Sequence, residues 1–220
     1  MRSSEISGVF RERNKLFTVN PEYSKNIKIY NEQLLNKKGT QYRSWNPYRS
    51  KLAAGILKGL IIDIKPDSNV LYLGAATGTT VSHISDIVKN GMVYSVENSP
   101  FALQKLIKVC ELRKNIIPLF HDANQPDNYV TFVPKVDLIY QDISQRNQAE
   151  IFISNIKKYL KKGGIAVLMV KSRCIDISLK PEEAYDIVCS KLTESGYKIV
   201  DKKDLKPFEK DHAALIVSNK

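Results

Sequence analysis

The sequence predicts an α/β fold: an open, mostly parallel sheet covered by helices on both faces, antiparallel at its last strand and preceded by a small β-rich unit. Three observations predict it. From Asp67 onward, short apolar runs alternate with segments of helical periodicity. Runs such as "VLYL" and "IAVLMV" are apolar at every position rather than at every second one, as in strands buried on both faces. The last two strand-like runs have only "KPFEKD" between them, which is too short for a parallel crossover, so they pair antiparallel.

Residues 1–50 read as the small β-rich unit. "GVFRERNKLFTV" alternates apolar and charged residues, "NIKIYNEQLL" nearly does so, and "NKKGTQ" is a turn. Asn46-Pro47 marks a turn or helix start, followed by Leu52, Ala53, Ile56, Leu57 and Leu60 at helical spacing. Residues 51–220 then form the main domain. Strand "NVLYL" leads into helix "TTVSHISDIVKN", with Gly91 expected just past its end. Strand "MVYSV" leads into a helix with Ser99 as N-cap and Pro100 as its first residue. "IIPLF" carries a proline, which has no ladder N–H, and so belongs at a sheet edge. "VDLIYQD" is the fourth strand. It precedes helix "RNQAEIFISNIKKYL", where Asn147 and Glu150 have capping-box spacing. "KKGG" turns into strand "IAVLMVK". "PEEAYDIVCSKLTES" is a helix with Pro181 near its start, two acids in its first turn and Gly196 beyond its end. "YKIVDKKDL" and "HAALIVSN" close the chain. Seven strands ending in a hairpin are the layout of the class I methyltransferase (Rossmann-like) fold.

The composition bounds the function. At 220 residues and 43% hydrophobic content, the chain is long enough for a sizeable core. It has no run of about 18 apolar residues, so no membrane span is expected. Its charged N-terminus lacks the apolar region of an export signal, which leads to a cytoplasmic expectation. Cys110, Cys174 and Cys189 have neither disulfide nor zinc spacing, so a reducing compartment and no metal site are expected. Net charge is +11 and uneven: residues 1–65 carry 13 Lys and Arg against 5 Asp and Glu, and the remainder 21 against 18. A basic N-terminal part on a near-neutral body points to a polyanion, with a merely solvated surface as the alternative.

Chemistry enters with "VLYLGAATGTT", Val70 to Thr80. In an open α/β sheet, ligands bind at the carboxyl ends of the strands, where the strand order reverses. Gly74-Ala75-Ala76-Thr77-Gly78 lacks the paired glycines of a dinucleotide fingerprint, and no Gly-Lys-Ser/Thr follows as in a P-loop. A looser glycine turn suits an adenosyl cofactor without phosphates, such as S-adenosylmethionine, or else only packs helix on strand. Glu97 ends the second strand, 19 residues after Gly78, where an acid can accept hydrogen bonds from both ribose hydroxyls. Asp122 follows the third strand and could reach an adenine amino group, with Ala123 supplying a backbone N–H. Asp142 ends the fourth strand, so three acids share one rim. "QDISQ" lacks the prolines and aromatic that adenine amino-methylases carry there. Lys171 finishes a buried apolar strand, where lysine is uncommon unless paired. Beside Asp142, partial desolvation would favour its acting as a base. Lys51 opens the helix before the first strand and could reach the same rim. His212, next to Asp211 before the last strand, is either a fourth polar member or structural. His83 and His121 read as structural or cofactor-adjacent.

The motifs "YRSWNPYRSKLAAGILKGL", "VLYLGAATGTTVSHISDIV", "VYSVENSP", "HDANQP", "VDLIYQDISQRNQAEI", "KKGGIAVLMVKSRCID" and "PFEKDHAALIV" occur in this order from Tyr42 to the C-terminus. Together they resemble the fibrillarin family in its archaeal form. The resemblance implies methylation of ribose 2′-hydroxyls in rRNA and tRNA, from S-adenosylmethionine, at positions chosen by box C/D guide RNA. It implies two protein partners, a Nop-domain scaffold and a kink-turn-binding ribosomal-protein-like subunit. The family's cofactor contacts fall on Thr79, Thr80, Glu97, Asn98, Asp122, Ala123, Asp142, Ile143, Ser144 and Gln145, beside the turn residues Gly74, Ala75 and Gly78. The Lys–Asp–Lys arrangement of ribose methylases falls on Lys51, Asp142 and Lys171, with His212 as the fourth member. The Gly/Arg-rich N-terminal region of eukaryotic members is absent from this sequence. The expected mechanism has Lys171 receiving the hydroxyl proton, Asp142 orienting Lys171, and Lys51 holding the hydroxyl or an adjacent phosphate. The competing readings are a non-catalytic scaffold with a methyltransferase fold and a stand-alone RNA methyltransferase.

Overall fold

The computed structural model describes residues 2–4 and 6–218. Among them, β1 (Arg2–Ser3), β2 (Val9–Glu12), β3 (Lys15–Val19), β4 (Leu34–Lys37) and β5 (Thr40–Trp45) form an antiparallel sheet in the order β1-β2-β3-β5-β4. The "NKKGTQ" turn is where expected, with Lys38 and Gly39 at positive φ. "NIKIYNEQLL" is extended only from Leu34. Ahead of it, the Glu32 carboxylate accepts the Ile29 and Tyr30 backbone N–H groups, which holds that segment in a loop instead of a ladder.

Then come α1 (Lys51–Leu57), β6 (Val70–Leu73), α2 (Thr79–Ile87), β7 (Val93–Glu97), α3 (Pro100–Glu111), β8 (Ile116–Phe120), β9 (Val136–Gln141), α4 (Gln148–Tyr159), β10 (Leu160–Lys171), α5 (Ser172–Ile175), α6 (Pro181–Glu194), β11 (Lys198–Asp204) and β12 (His212–Ser218). The predicted last residue of the final strand, Asn219, lies outside the described residues. The sheet order is β11-β12-β10-β9-β6-β7-β8, with β12 antiparallel to both neighbours. Pro118 sits in the edge strand β8, as its missing N–H requires. The order reverses between β6 and β9, so their carboxyl ends lie side by side at the switch point.

Alternation along each strand divides the core into two layers. Val70 and Tyr72 pack with α2 and the small sheet, while Leu71 and Leu73 pack with Phe152 of α4 and Tyr185 of α6. Several local signals resolve differently from expectation. Ser50, not the Asn46-Pro47 turn, caps α1 by accepting the Ala53 N–H. Gly91 is no helix cap: α2 ends at Ile87, and a Cβ on Gly91 would lie 2.0 Å from the Ser68 carbonyl oxygen, so its role is close chain approach. The Asn147–Glu150 box does not form: the Asn147 side chain makes no cap bond, and its amide N–H donates outward to Asn124 Oδ1. "KKGG" stays within β10 as an irregularity between Leu160 and Ile165, rather than leaving the sheet as a turn.

The two sheets are joined through a buried polar network. The fully buried Arg43 of β5 bonds Glu32 Oε1 at 2.6 Å, Asp86 Oδ2 at 2.6 Å and Ser82 Oγ at 3.0 Å. Arg113 meets the other Asp86 oxygen at 2.9 Å, and Thr18 donates to Asp86 at 2.7 Å. His83 stacks on Trp45 with centroids 4.8 Å apart, while its ring nitrogens meet Thr18 and Tyr30 at 2.7 and 2.6 Å. Its role is structural, in line with expectation. Arg43 is thus a fastener for the small sheet and not part of its outward basic surface. No helix among the described residues is long and apolar enough to cross a membrane.

Candidate active site

The glycine turn is built by backbone geometry. Gly74 and Gly78 have φ of 81° and 88°, which L-residues with side chains rarely adopt. Gly74 is also a close approach: an added Cβ would lie 2.4 Å from the Asp142 carbonyl oxygen. The N–H groups of Gly74 and Ala75 both donate to Val96 O, folding the turn over the end of β7. Glu97 secures it from below. One carboxylate oxygen accepts the Ala76 N–H at 2.7 Å and the other the Ser99 N–H at 2.8 Å. Each oxygen keeps further lone-pair capacity for a ligand hydroxyl.

A cavity of about 250 Å³ opens over this turn. Its walls hold Gly74, Glu97, Asn98, His121, Asp122, Ala123, Asp142, Ile143, Ser144 and Gln145. Asp122 bonds the Asn124 N–H through one oxygen, which fixes its own short loop. A second cavity, about 390 Å³, shares Gly74, Ala76, Asp142 and Ser144 with the first, and adds Arg49, Lys51, Tyr72, Ala75, Thr77, Thr79 and Thr80. Every cofactor candidate except Gly78 therefore lines one of the two cavities. Gly78 lies behind the turn, packed within reach of Leu106 and Val109. Among its described lining residues the first cavity has carboxylates and no lysine or arginine, which fits an adenosyl group carrying no phosphate.

The catalytic candidates converge on the second cavity's side of the rim, with one change of partner. Lys51 Nζ lies 3.0 Å from both Asp142 oxygens. Lys171 does not pair with Asp142; its ammonium contacts Ser144 Oγ at 3.3 Å. Thr80 donates to Ser50 Oγ at 2.9 Å, tying the helix starts of α1 and α2 together beside the Lys51–Asp142 pair. His212 stands opposite Lys171 in the β10–β12 register. Its Nδ1 bonds Lys210 O at 2.7 Å. A carbonyl only accepts, so Nδ1 carries the proton and Nε2 holds the free lone pair. Burial holds the His212 pKa below the ordinary histidine value, opposed by the Lys210 bond and reinforced by the Lys51 charge.

Two residues escaped the sequence reading. Gln148, fully buried at the start of α4, accepts the Lys171 N–H and donates to the Lys171 carbonyl, fixing the backbone from which that lysine projects. Its signal in the sequence is weak, a polar residue inside a capping-box pattern. Arg49 lines the second cavity, with its guanidinium 4.9 Å from the Tyr30 ring and bonded to Tyr30 O.

The fibrillarin family model matches residues 2–220. A fibrillarin-like rRNA/tRNA 2′-O-methyltransferase from Methanothermobacter thermautotrophicus is 45% identical over 213 residues, 96% of this chain and 94% of the relative. The solved structure of a fibrillarin/Nop5p complex superposes at a TM-score of 0.88 with 43% identity, covering 98% of this chain and 99% of that one. Aeropyrum pernix fibrillarin with natively bound S-adenosyl-L-methionine gives a TM-score of 0.87 at 37% identity, over 98% and 96% of the two chains. Matched by the family model along nearly its whole length and by a relative 45% identical over 96% of the chain, this protein belongs to the fibrillarin family.

Proposed function

We propose that this protein is an S-adenosylmethionine-dependent RNA ribose 2′-O-methyltransferase acting on rRNA and tRNA at positions set by box C/D guide RNA. The observation that carries the reading is the pair of joined cavities. One is acidic and suited to adenosine; the other presents Lys51, Asp142 and Arg49 to an incoming anionic strand. When bound, S-adenosylmethionine supplies an electrophilic methyl group on a sulfonium. Glu97 would hold the ribose hydroxyls, and Asp122 with the Ala123 N–H would hold the adenine edge. Asn98, Thr79, Thr80 and Ile143 to Gln145 complete the walls.

On the acceptor side, Lys51 and Asp142 act as a fixed pair. Lys51 favours developing negative charge on the 2′-oxygen, and Asp142 holds Lys51 in place. Lys171 steers the hydroxyl proton, held near the rim by Gln148 and Ser144. His212, neutral with Nε2 available, is a further acceptor for that proton. The chemistry asks mainly for positioning of two reactants and removal of one weakly acidic proton.

Residues 1–50 form an accessory domain on the catalytic domain 51–220. Partner proteins are a Nop-domain scaffold and a kink-turn-binding subunit, and the setting is cytoplasmic. The test is a labelled-methyl assay on the reconstituted ribonucleoprotein, with and without guide RNA. Guide-dependent transfer by wild type is expected. Lys171→Ala should lose transfer while keeping cofactor binding by calorimetry; full activity in that variant would remove Lys171 from the mechanism. Guide-independent transfer would favour a stand-alone enzyme.

A further inference from the structure

A groove of about 660 Å³ is lined in part by Ser44 to Tyr48, the chain segment that runs directly into Arg49 and Lys51 of the acceptor cavity. Arg11, Lys15 and Lys58 line it, and no Asp or Glu stands among its described lining residues. Its floor is aromatic. Tyr48 is 63% exposed and meets Phe208 edge-to-face with centroids 5.3 Å apart, beside Pro207. An exposed tyrosine steadied by a second ring offers a flat face at small entropic cost, and the three cations line the same groove. Chain geometry limits the separation of the Tyr48 and Lys51 Cα atoms to about 11 Å. Arg49 stands between them and lines the acceptor cavity itself.

Resting on the methyltransferase reading above, we infer that this groove holds a single-stranded segment of the RNA continuous with the target strand. One unpaired base stacks on Tyr48, and Lys15, Lys58 and Arg11 take the phosphates. The charge set selects a polyanion, and the aromatic pair selects one with flat apolar faces, which is the signature of unpaired nucleic acid. Such a surface reads no sequence, so it adds affinity and register while base pairing elsewhere chooses the site. The short chain distance from Tyr48 to Arg49 and Lys51 puts the groove and the acceptor cavity within reach of one strand.

The test uses the reconstituted, guide-dependent assembly with 4-thiouridine placed in target RNA just outside the guide-paired stretch. Photo-crosslinking should label the tryptic peptide Ser44–Arg49. Tyr48→Ala should raise KM for target RNA about ten-fold, with kcat and cofactor affinity unchanged. The double change Lys15→Ala and Lys58→Ala should make KM less steeply salt-dependent, the slope falling by about one for each phosphate that is no longer neutralised. All three side chains are exposed, so the variants should fold as wild type does. An unchanged KM together with no crosslink to this peptide would overturn the inference. Loss of scaffold association in these variants, with no RNA crosslink to this peptide in the wild-type assembly, would assign the groove to a protein and overturn it equally. Absence of transfer by the wild-type assembly would instead strike the underlying activity, so the two failures are distinguishable.

Discussion

Lys51 and Asp142, 91 residues apart, meet at 3.0 Å through both carboxylate oxygens at the switch point of the sheet. The pair is about a fifth exposed on each side, so water partly screens it and its stabilising value is small. Its importance lies in position. Lys51→Ala should therefore reduce kcat by about a hundred-fold, as loss of one preorganised charge donor does. Cofactor affinity, measured by calorimetry, should change much less than kcat, because Lys51 is not among the residues lining the adenosine cavity. A large loss of cofactor affinity with kcat retained would reverse the assignment.

Glu97 has a double duty. It accepts two backbone N–H groups and faces the adenosine cavity. Glu97→Ala leaves both donors without acceptors, which should cost about 1–3 kcal/mol in urea unfolding. Cofactor affinity should fall at least ten-fold. Glu97→Gln keeps one acceptor oxygen and should recover more of the stability than of the affinity.

Gly74→Ala and Gly39→Ala separate strain from collision. Both glycines sit near φ of 80°, so each substitution meets the left-handed penalty of about 1–2 kcal/mol. Gly39 has nothing within 4 Å of an added Cβ, whereas at Gly74 the new carbon meets the backbone of Asp142. Thermal unfolding should show a small shift for Gly39→Ala. Gly74→Ala should show a much larger one, with loss of cofactor binding. Equal shifts would mean the turn relaxes freely.

Acid should destabilise the protein earlier than its carboxylates alone require. Burial first, then the Arg43 and Arg113 charges, hold His83 well below its ordinary pKa, and burial also lowers His212. With folded values below unfolded ones, the unfolded chain takes up protons first. Stability is then complete above about pH 6.5 and falls as pH drops below it, by up to about 1.4 kcal/mol per pH unit for each histidine. Urea midpoints between pH 7.5 and 5.5 should show this slope in wild type and a shallower one in His83→Gln. A flat wild-type profile would contradict it.

Much of the site is legible in the chain because it is local to strand ends. Glu97, Asp122 and Asp142 each follow an apolar run, and a parallel sheet brings such ends to one rim. The glycine turn is legible for the same reason, since Gly74 and Gly78 mark positive φ. The partner of Asp142 is not legible. Lys171 is one strand away in register, but Lys51 arrives from a helix whose placement depends on Ser50 and Thr80 meeting across 30 residues. Likewise, the positive charge of residues 1–65 is readable as a sum. Only packing shows that Arg43 is engaged by Glu32 and Asp86 inside the molecule, while Arg11, Lys15 and Lys58 face a groove.

The α/β class, the edge position of "IIPLF", the antiparallel end and the acidic rim were all written in the linear chain. Each follows from rules that act over a few residues: apolar periodicity, a missing proline N–H and a connection too short to cross over. Which charges pair, which glycine guards a close approach and where the basic surface lies were settled by folding in three dimensions. Those outcomes depend on atoms brought together from distant parts of the chain, where a difference of a few ångströms exchanges one partner for another.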